Sequence, residues 1–237
     1  MKAQKQMGIL SHLEELRKRL VIVFIVFLAA TIASLYFSSR ILDNLIKLAN
    51  GYHFIYAEPS QLMVQHVKIA MICGLIISLP VMLYELLAFL YPALKKKEKH
   101  IAAILLGMGL VFFGLGIMFA DKVMIPLMLK FFLSMNINPN IDATITIESY
   151  VSFLSTMFIT FGIVFEMPTI LAAFTRFGVL KVRWLLKGQK YVILIILVVA
   201  ALITPPDVIS QIMVAIPLFL LYEISIAICY VIDRKKN

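Results

Sequence analysis

Six stretches of the chain are almost uninterrupted by polar residues: 20–37, 69–90, 101–120, 150–174, 191–203 and 208–232. A helix advances about 1.5 Å per residue, so crossing a hydrocarbon core about 30 Å thick takes about 20 mostly apolar residues. Five stretches meet or approach that length, and each of the six predicts one spanning helix. The fifth is the exception in length. Its 13 residues cover about 20 Å before Thr204-Pro205-Pro206-Asp207, where the X-Pro steps end a helix. A hairpin that turns so early either lies within the bilayer's depth or draws the bilayer thinner.

The polar connections alternate in charge. Lys2, Lys5, Arg17, Lys18 and Arg19 precede the first stretch, and Lys95, Lys96, Lys97 and Lys99 lie between the second and third. Arg176, Lys181, Arg183, Lys187 and Lys190 lie between the fourth and fifth, and Arg234, Lys235 and Lys236 follow the sixth. The alternate connections carry few, such as Arg40, Lys47, Lys122 and Lys130, and none separates the last two stretches. Basic residues mark cytoplasmic loops. The expected architecture is an all-α integral membrane protein, one domain over 1–237 with six transmembrane helices. Both termini are expected in the cytoplasm, the fifth helix short and the sixth a candidate for the same. The connection 121–148 is expected outside, with "KVMIPLMLKFF" continuing as an amphipathic helix past Pro126 on the outer surface.

Composition agrees with a bilayer as solvent. The chain is 62% hydrophobic with a mean hydropathy of +0.98, well above the apolar share of soluble domains. A net charge of +9 could serve nucleic acid only if the bases formed one patch, and they fall instead in clusters between apolar runs. Cys73 and Cys229 lie inside apolar runs and read as small buried hydrophobes. The four histidines are scattered without metal-ligand spacing, so neither a metal nor another cofactor is expected. The first apolar run lacks a small-residue cleavage site.

Just before the first stretch stands "SHLEELRKRL", residues 11–20. Ser11 and Glu14 fit the S-x-x-E capping box. Glu15 lies outside that box, and either pairs with Arg19 one helical turn on or is a site for a ligand. Three further motifs follow: Pro80 with "AFLYPALKKKEKH" (88–100), "FGIVFEMP" (161–168) and "ITPPDVISQIMVAIP" (203–217). The four, in this order and from end to end of the chain, resemble the signature of the TatC family, the multispanning receptor subunit of the twin-arginine protein translocase. Leu87, Gln61 and Gln189 depart from the family's usual aromatic, acidic and Arg residues.

The resemblance implies a receptor for twin-arginine signal peptides of folded cargo. Such a receptor assembles with the single-span partners TatA and TatB in an oligomeric complex of the inner membrane, and draws on the proton-motive force. Its two cargo carboxylates fall on Glu15 and Glu98. The chemistry suits them: a guanidinium is always charged and meets a carboxylate in bidentate geometry, which an ammonium cannot. Without the resemblance Glu98 reads as a solvated loop charge. Leu16 and Phe89 are candidate apolar contacts for the signal peptide, and Arg17 a candidate to orient Glu15.

Deeper in the membrane, Glu166 lies midway along the longest run, where a charge costs about 3 kcal/mol to insert. With Pro168 beside it, Glu166 reads as a polar point in a concave face that touches partner helices, or as a protonated acid bonded to a neighbouring helix. Thr204 and Gln211 resemble the family's docking place for its single-span partners. Asp207 joins them or caps the sixth helix. Glu85 and Glu223, near cytoplasmic ends, read as structural. A proton-coupled secondary transporter using Glu166 is the rival reading, against which stands the lack of an inverted repeat. An intramembrane protease lacks its paired Asp or Ser–His, and no nucleotide-binding glycine loop occurs; the reading is not an enzyme.

Overall fold

The computed structural model describes residues 9–49, 52–56, 58–90, 96–135 and 144–234, with the side chains of 9–12, 90 and 96–99 outside the description. The helices are α1 (Ile9–Leu48), α2 (Pro59–Leu90), α3 (Lys96–Phe119), α4 (Ile125–Ser134), α5 (Ile147–Val164), α6 (Met167–Arg176), α7 (Val182–Ile203) and α8 (Val208–Arg234). They make six spans long and apolar enough to cross a membrane, because α3 with α4, and α5 with α6, each form one interrupted span. The exterior of these helices is apolar: Phe24, Ile32, Tyr36, Ile195 and Leu202 are all exposed. Water does not tolerate such a continuous apolar surface on a monomer, whereas lipid does. The chain is a multi-pass membrane protein.

The helices outrun the apolar stretches that predict them. α1 has 40 residues, about 60 Å of helix, and carries the charged segment before Val21 as part of one rod. α7 has 22 residues. Its apolar stretch is short, but residues 182–190 extend the same helix as a charged turn with Lys187 and Lys190, so the helix itself reaches about 33 Å. α8, at 27 residues, is not short at all. Hydropathy measures only the part of a helix that faces lipid. The i→i−4 ladder continues as long as backbone donors last.

Two interruptions come from proline. Pro126 lacks the N–H that would bond the Lys122 carbonyl, and the turn just before it, Ala120–Met124, widens to a π-turn in which the Ile125 N–H bonds the Ala120 carbonyl. The helix then continues as α4, as the sequence predicts. Its face of Ile125, Met128 and Leu129 is buried in the main core, so this segment packs inward rather than lying free on a surface. Pro168 separates α5 from α6 at Phe165-Glu166, where the turn tightens instead and the Glu166 N–H bonds Ile163 O. α6 stops in a Schellman motif: Gly178 takes φ 77°, its N–H bonds Thr175 O, and Val179 N–H bonds Phe174 O.

Two short strands, β1 (His53–Ile55) and β2 (Thr144–Thr146), pair in parallel with His53 opposite Thr144 and Ile55 opposite Thr146. They tie the α1–α2 connection to the start of α5, where the Thr146 hydroxyl caps the helix by accepting from Ser149 N–H. The main core joins the π-turn, α4, α5, α7 and α8 around Met124, Met128, Tyr150, Leu154, Phe161, Leu218 and Tyr222. Two buried tyrosine hydroxyls donate across helices, Tyr150 to Leu45 O and Tyr222 to Leu185 O, which satisfies them away from water. Lys68 on α2 donates to Ser152 on α5 at 2.6 Å.

Of the glycines on α3, only two are contact points. A Cβ at Gly116 would stand 2.6 Å from the Phe161 carbonyl oxygen and 2.8 Å from Phe165 Cβ, and one at Gly109 would stand 3.0 Å from Glu166 Oε2, whereas Gly107 and Gly114 face open space. Close approach of α3 to the α5–α6 span therefore rests on one helical face.

Candidate functional site

α1 and α2 are consecutive antiparallel neighbours, and this sets Arg19 near the start of α1 level with Glu85 near the end of α2. Arg19 bridges two carboxylates. Its Nε and Nη2 donate to Glu15 Oε1 at 3.1 and 2.7 Å, and its Nη1 donates to Glu85 Oε2 at 2.7 Å. All three groups are largely shielded, with 20% of the Glu15 side chain and 12% of the Glu85 side chain exposed. Glu15 Oε2 is buried and has no hydrogen-bond partner among the described residues. Two carboxylates sharing one guanidinium leave the cluster with a net negative charge and a free acceptor, an arrangement fitted to a cationic ligand. Leu13 and Leu16 stand exposed on the same end of α1, and Phe89 is half-buried near the end of α2.

The i,i+4 pair expected between Glu15 and Arg19 is present. Arg17 does not orient Glu15. Two residues along a helix is about 200° around it, so Arg17 points to another face and is exposed, while Arg19 does the orienting. The capping box also fails to appear where it was expected. α1 already runs from Ile9, so Ser11 lies within the helix and not at its N-cap, and Glu14 is an exposed residue of the next turn. The apolar Ile9 and Leu10 let the ladder begin before the first polar signal. Glu98 lies in the first turn of α3, and its side chain is outside the described residues, as is that of Ser11. Glu85, a structural acid in the sequence, is the second partner of Arg19. The signal that could have found it is depth: Arg19 and Glu85 stand a similar number of residues from the α1–α2 turn.

Glu166 is 6% exposed. Its carboxylate is enclosed by Gly109 of α3, Leu83 of α2 and Thr169 of α6, and neither oxygen has a hydrogen-bond partner among the described residues. The expectation of a bond to a neighbouring helix is not met, and the group faces the chain's own helices. At the α7–α8 turn Asp207 is the N-cap, its Oδ2 accepting from Ser210 N–H at 2.7 Å. Thr204 is buried with its hydroxyl on Ala200 O. Gln211 Nε2 reaches across the turn to Leu197 O at 3.0 Å, so both are engaged within the chain. Beside them a groove of about 310 Å³ runs between α7 and α8, lined by residues such as Ile193, Leu197, Ile212, Ile216 and Phe219. Farther along, Gln189 donates to Glu223 at 2.9 Å.

Residues 11–217 match the family model described as Sec-independent protein translocase protein (TatC). The chain belongs to the TatC family. It is 37% identical, over 95% of this chain and 85% of the relative, to the Sec-independent protein translocase protein TatC of Desulforapulum autotrophicum. It is 35% identical to TatCy of Bacillus subtilis over 98% of this chain and 92% of that one, and 36% identical to TatC of Aquifex aeolicus over 98% of both. Its fold is similar to a crystal structure of the twin-arginine translocase receptor TatC, with a TM-score of 0.85, 35% identity, and coverage of 93% of this chain and 99% of that one. These relatives are translocase proteins, which gives the transporter reading of Glu166 no support. In this chain the Glu15–Arg19–Glu85 cluster stands at one end of the α1–α2 hairpin.

Proposed function

We propose that this chain is the cargo receptor of a twin-arginine translocase in the cytoplasmic membrane, with both termini in the cytoplasm. It binds the twin-arginine signal peptides of folded proteins through Glu15 and Glu98, and holds the peptide's apolar segment against Leu16 and Phe89. The observation that carries the reading is the Glu15 carboxylate: half-buried, with one shielded oxygen that has no hydrogen-bond partner among the described residues, and followed by the exposed Leu16. A guanidinium entering there gains a charge-assisted bond in partly dry surroundings, where such bonds are strongest. The similar solved protein is named a receptor, and the positive-inside pattern supports the cytoplasmic side for this end of the molecule.

TatA- and TatB-type single-span helices dock along the apolar α7–α8 groove near Gln211. Helix association in lipid depends on close packing and on a few hydrogen bonds worth about 0.6–2 kcal/mol each, which suits a groove with one amide at its end. Glu166 and Asp207 act from within, the first as a polar point near the α3–α6 contact and the second as the cap that shapes the turn. Transport energy comes from the proton-motive force.

The test is photo-cross-linking of the purified chain to a peptide carrying Arg-Arg and to its Lys-Lys version. Capture of the Arg-Arg peptide is expected to exceed that of the Lys-Lys peptide, and to be lost in Glu15→Gln and in Glu98→Gln. Equal capture of both peptides, or unchanged capture by both variants, would refute the reading.

A further inference from the structure

Arg19 already occupies the oxygen that a bidentate guanidinium would need. It places two N–H groups on Glu15 Oε1, and Oε2 has no hydrogen-bond partner among the described residues. A carboxylate grips a guanidinium best through both oxygens, so cargo cannot take Glu15 in that way while Arg19 holds Oε1. Glu85 supplies the alternative. It already receives Arg19 Nη1 at 2.7 Å, so Arg19 keeps a carboxylate partner when it leaves Glu15.

We propose that Arg19 is an internal competitor for the cargo site: an arriving guanidinium displaces it from Glu15, and Glu85 receives it. The proposal rests on the reading of Glu15 as the guanidinium acceptor and adds the exchange that controls it. Charge is conserved through the exchange. One guanidinium on two carboxylates becomes two on two, which removes the net negative charge of the cluster. Selectivity follows from the same step. An arginine replaces both bonds that Arg19 gives up, whereas a lysine is a point charge without the fork and does not compensate for the displacement. Arg19 and Glu85 are thus positioning residues that raise the preference for Arg-Arg over Lys-Lys.

The test measures dissociation constants of fluorescent Arg-Arg and Lys-Lys peptides for the full chain in lipid nanodiscs. Arg19→Gln is expected to bind the Arg-Arg peptide about fivefold more tightly, the size of a partly exposed ion pair, and to gain still more for Lys-Lys, so that discrimination shrinks. Lys18→Gln removes the same charge from the adjacent exposed position and is expected to tighten binding far less. Glu85→Gln is expected to weaken Arg-Arg binding in the natural chain and to have no effect in the Arg19→Gln background. Such a pattern is a coupling between two residues and not a sum of charges. Should Arg19→Gln fail to yield folded protein, the double variant Arg19→Gln/Glu85→Gln leaves one unpaired carboxylate in place of two, and it is expected to bind more tightly than the natural chain. Arg19→Gln tightening no more than Lys18→Gln, Glu85→Gln weakening both backgrounds equally, or a weaker-binding double variant would each overturn the exchange. The natural chain losing the peptide on Glu15→Gln while any of these occurs would leave the receptor reading in place, whereas an indifferent Glu15→Gln removes both.

Discussion

Replacing Gly116 by alanine adds one methyl at the place where α3 comes closest to the α5–α6 span. The new Cβ would stand 2.6 Å from the Phe161 carbonyl oxygen, 2.8 Å from Phe165 Cβ and 3.0 Å from Phe165 Cγ. Two of the three atoms belong to backbone or to a Cβ fixed by it, and Phe161 is fully buried, so no flexible side-chain end can swing away. Separation must come from moving one helix. Overpacking of this kind costs about 1–3 kcal/mol, against which alanine's helix preference over glycine returns up to about 1 kcal/mol. The net expectation is a loss of about 1–2 kcal/mol, or a midpoint lower by several degrees at about 2–4 °C per kcal/mol for a chain this size. Gly107 and Gly114 on the same helix face open space, so alanine there carries only the helix preference and is expected to leave the midpoint unchanged or slightly raised. The assay is thermal unfolding in detergent followed by a thiol-reactive dye in a Cys73→Ser background, because Cys229 is fully buried and labels only on opening whereas Cys73 is partly exposed. Gly116→Ala melting at or above Gly114→Ala would refute the argument that α3 is held by this contact.

Gly74→Ala is expected to be costly as well, because its Cβ would overlap the Thr31 hydroxyl oxygen and lie 2.9 Å from both the N and Cα of Thr31; the same dye assay should show a lower midpoint. Asp207→Ala removes the cap on Ser210 N–H and should lower stability by about 1 kcal/mol, with Asp207→Asn retaining most of it in the melting curve. Glu166→Gln should leave the melting midpoint unchanged or raise it, because a buried carboxyl without partners costs more than an amide when it ionises; a fall of several degrees would show that the acid holds the α3–α6 contact. Ser152→Ala removes the acceptor of Lys68 Nζ, and a loss of about 1 kcal/mol is expected in the same assay.

Six spans, their approximate centres and the charge asymmetry of their connections are legible in the sequence because insertion into lipid is decided residue by residue, by transfer energy and by length. The Asp207 cap and the Glu15–Arg19 pair are legible for a similar reason, since both depend on neighbours within four residues. The helix ends were not. Backbone hydrogen bonding carries α1 and α7 beyond the apolar runs that reveal them, and no transfer scale registers that. Long-range partners could not be read either: Glu85 for Arg19, Gly109 for Glu166, Leu197 for Gln211. Each depends on which helices are neighbours and at what depth they cross, and that is decided by the fit of small residues such as Gly74 and Gly116 against another backbone. Local pattern thus determined which segments enter the membrane. Packing between helices decided which carboxylate is left with an oxygen to offer.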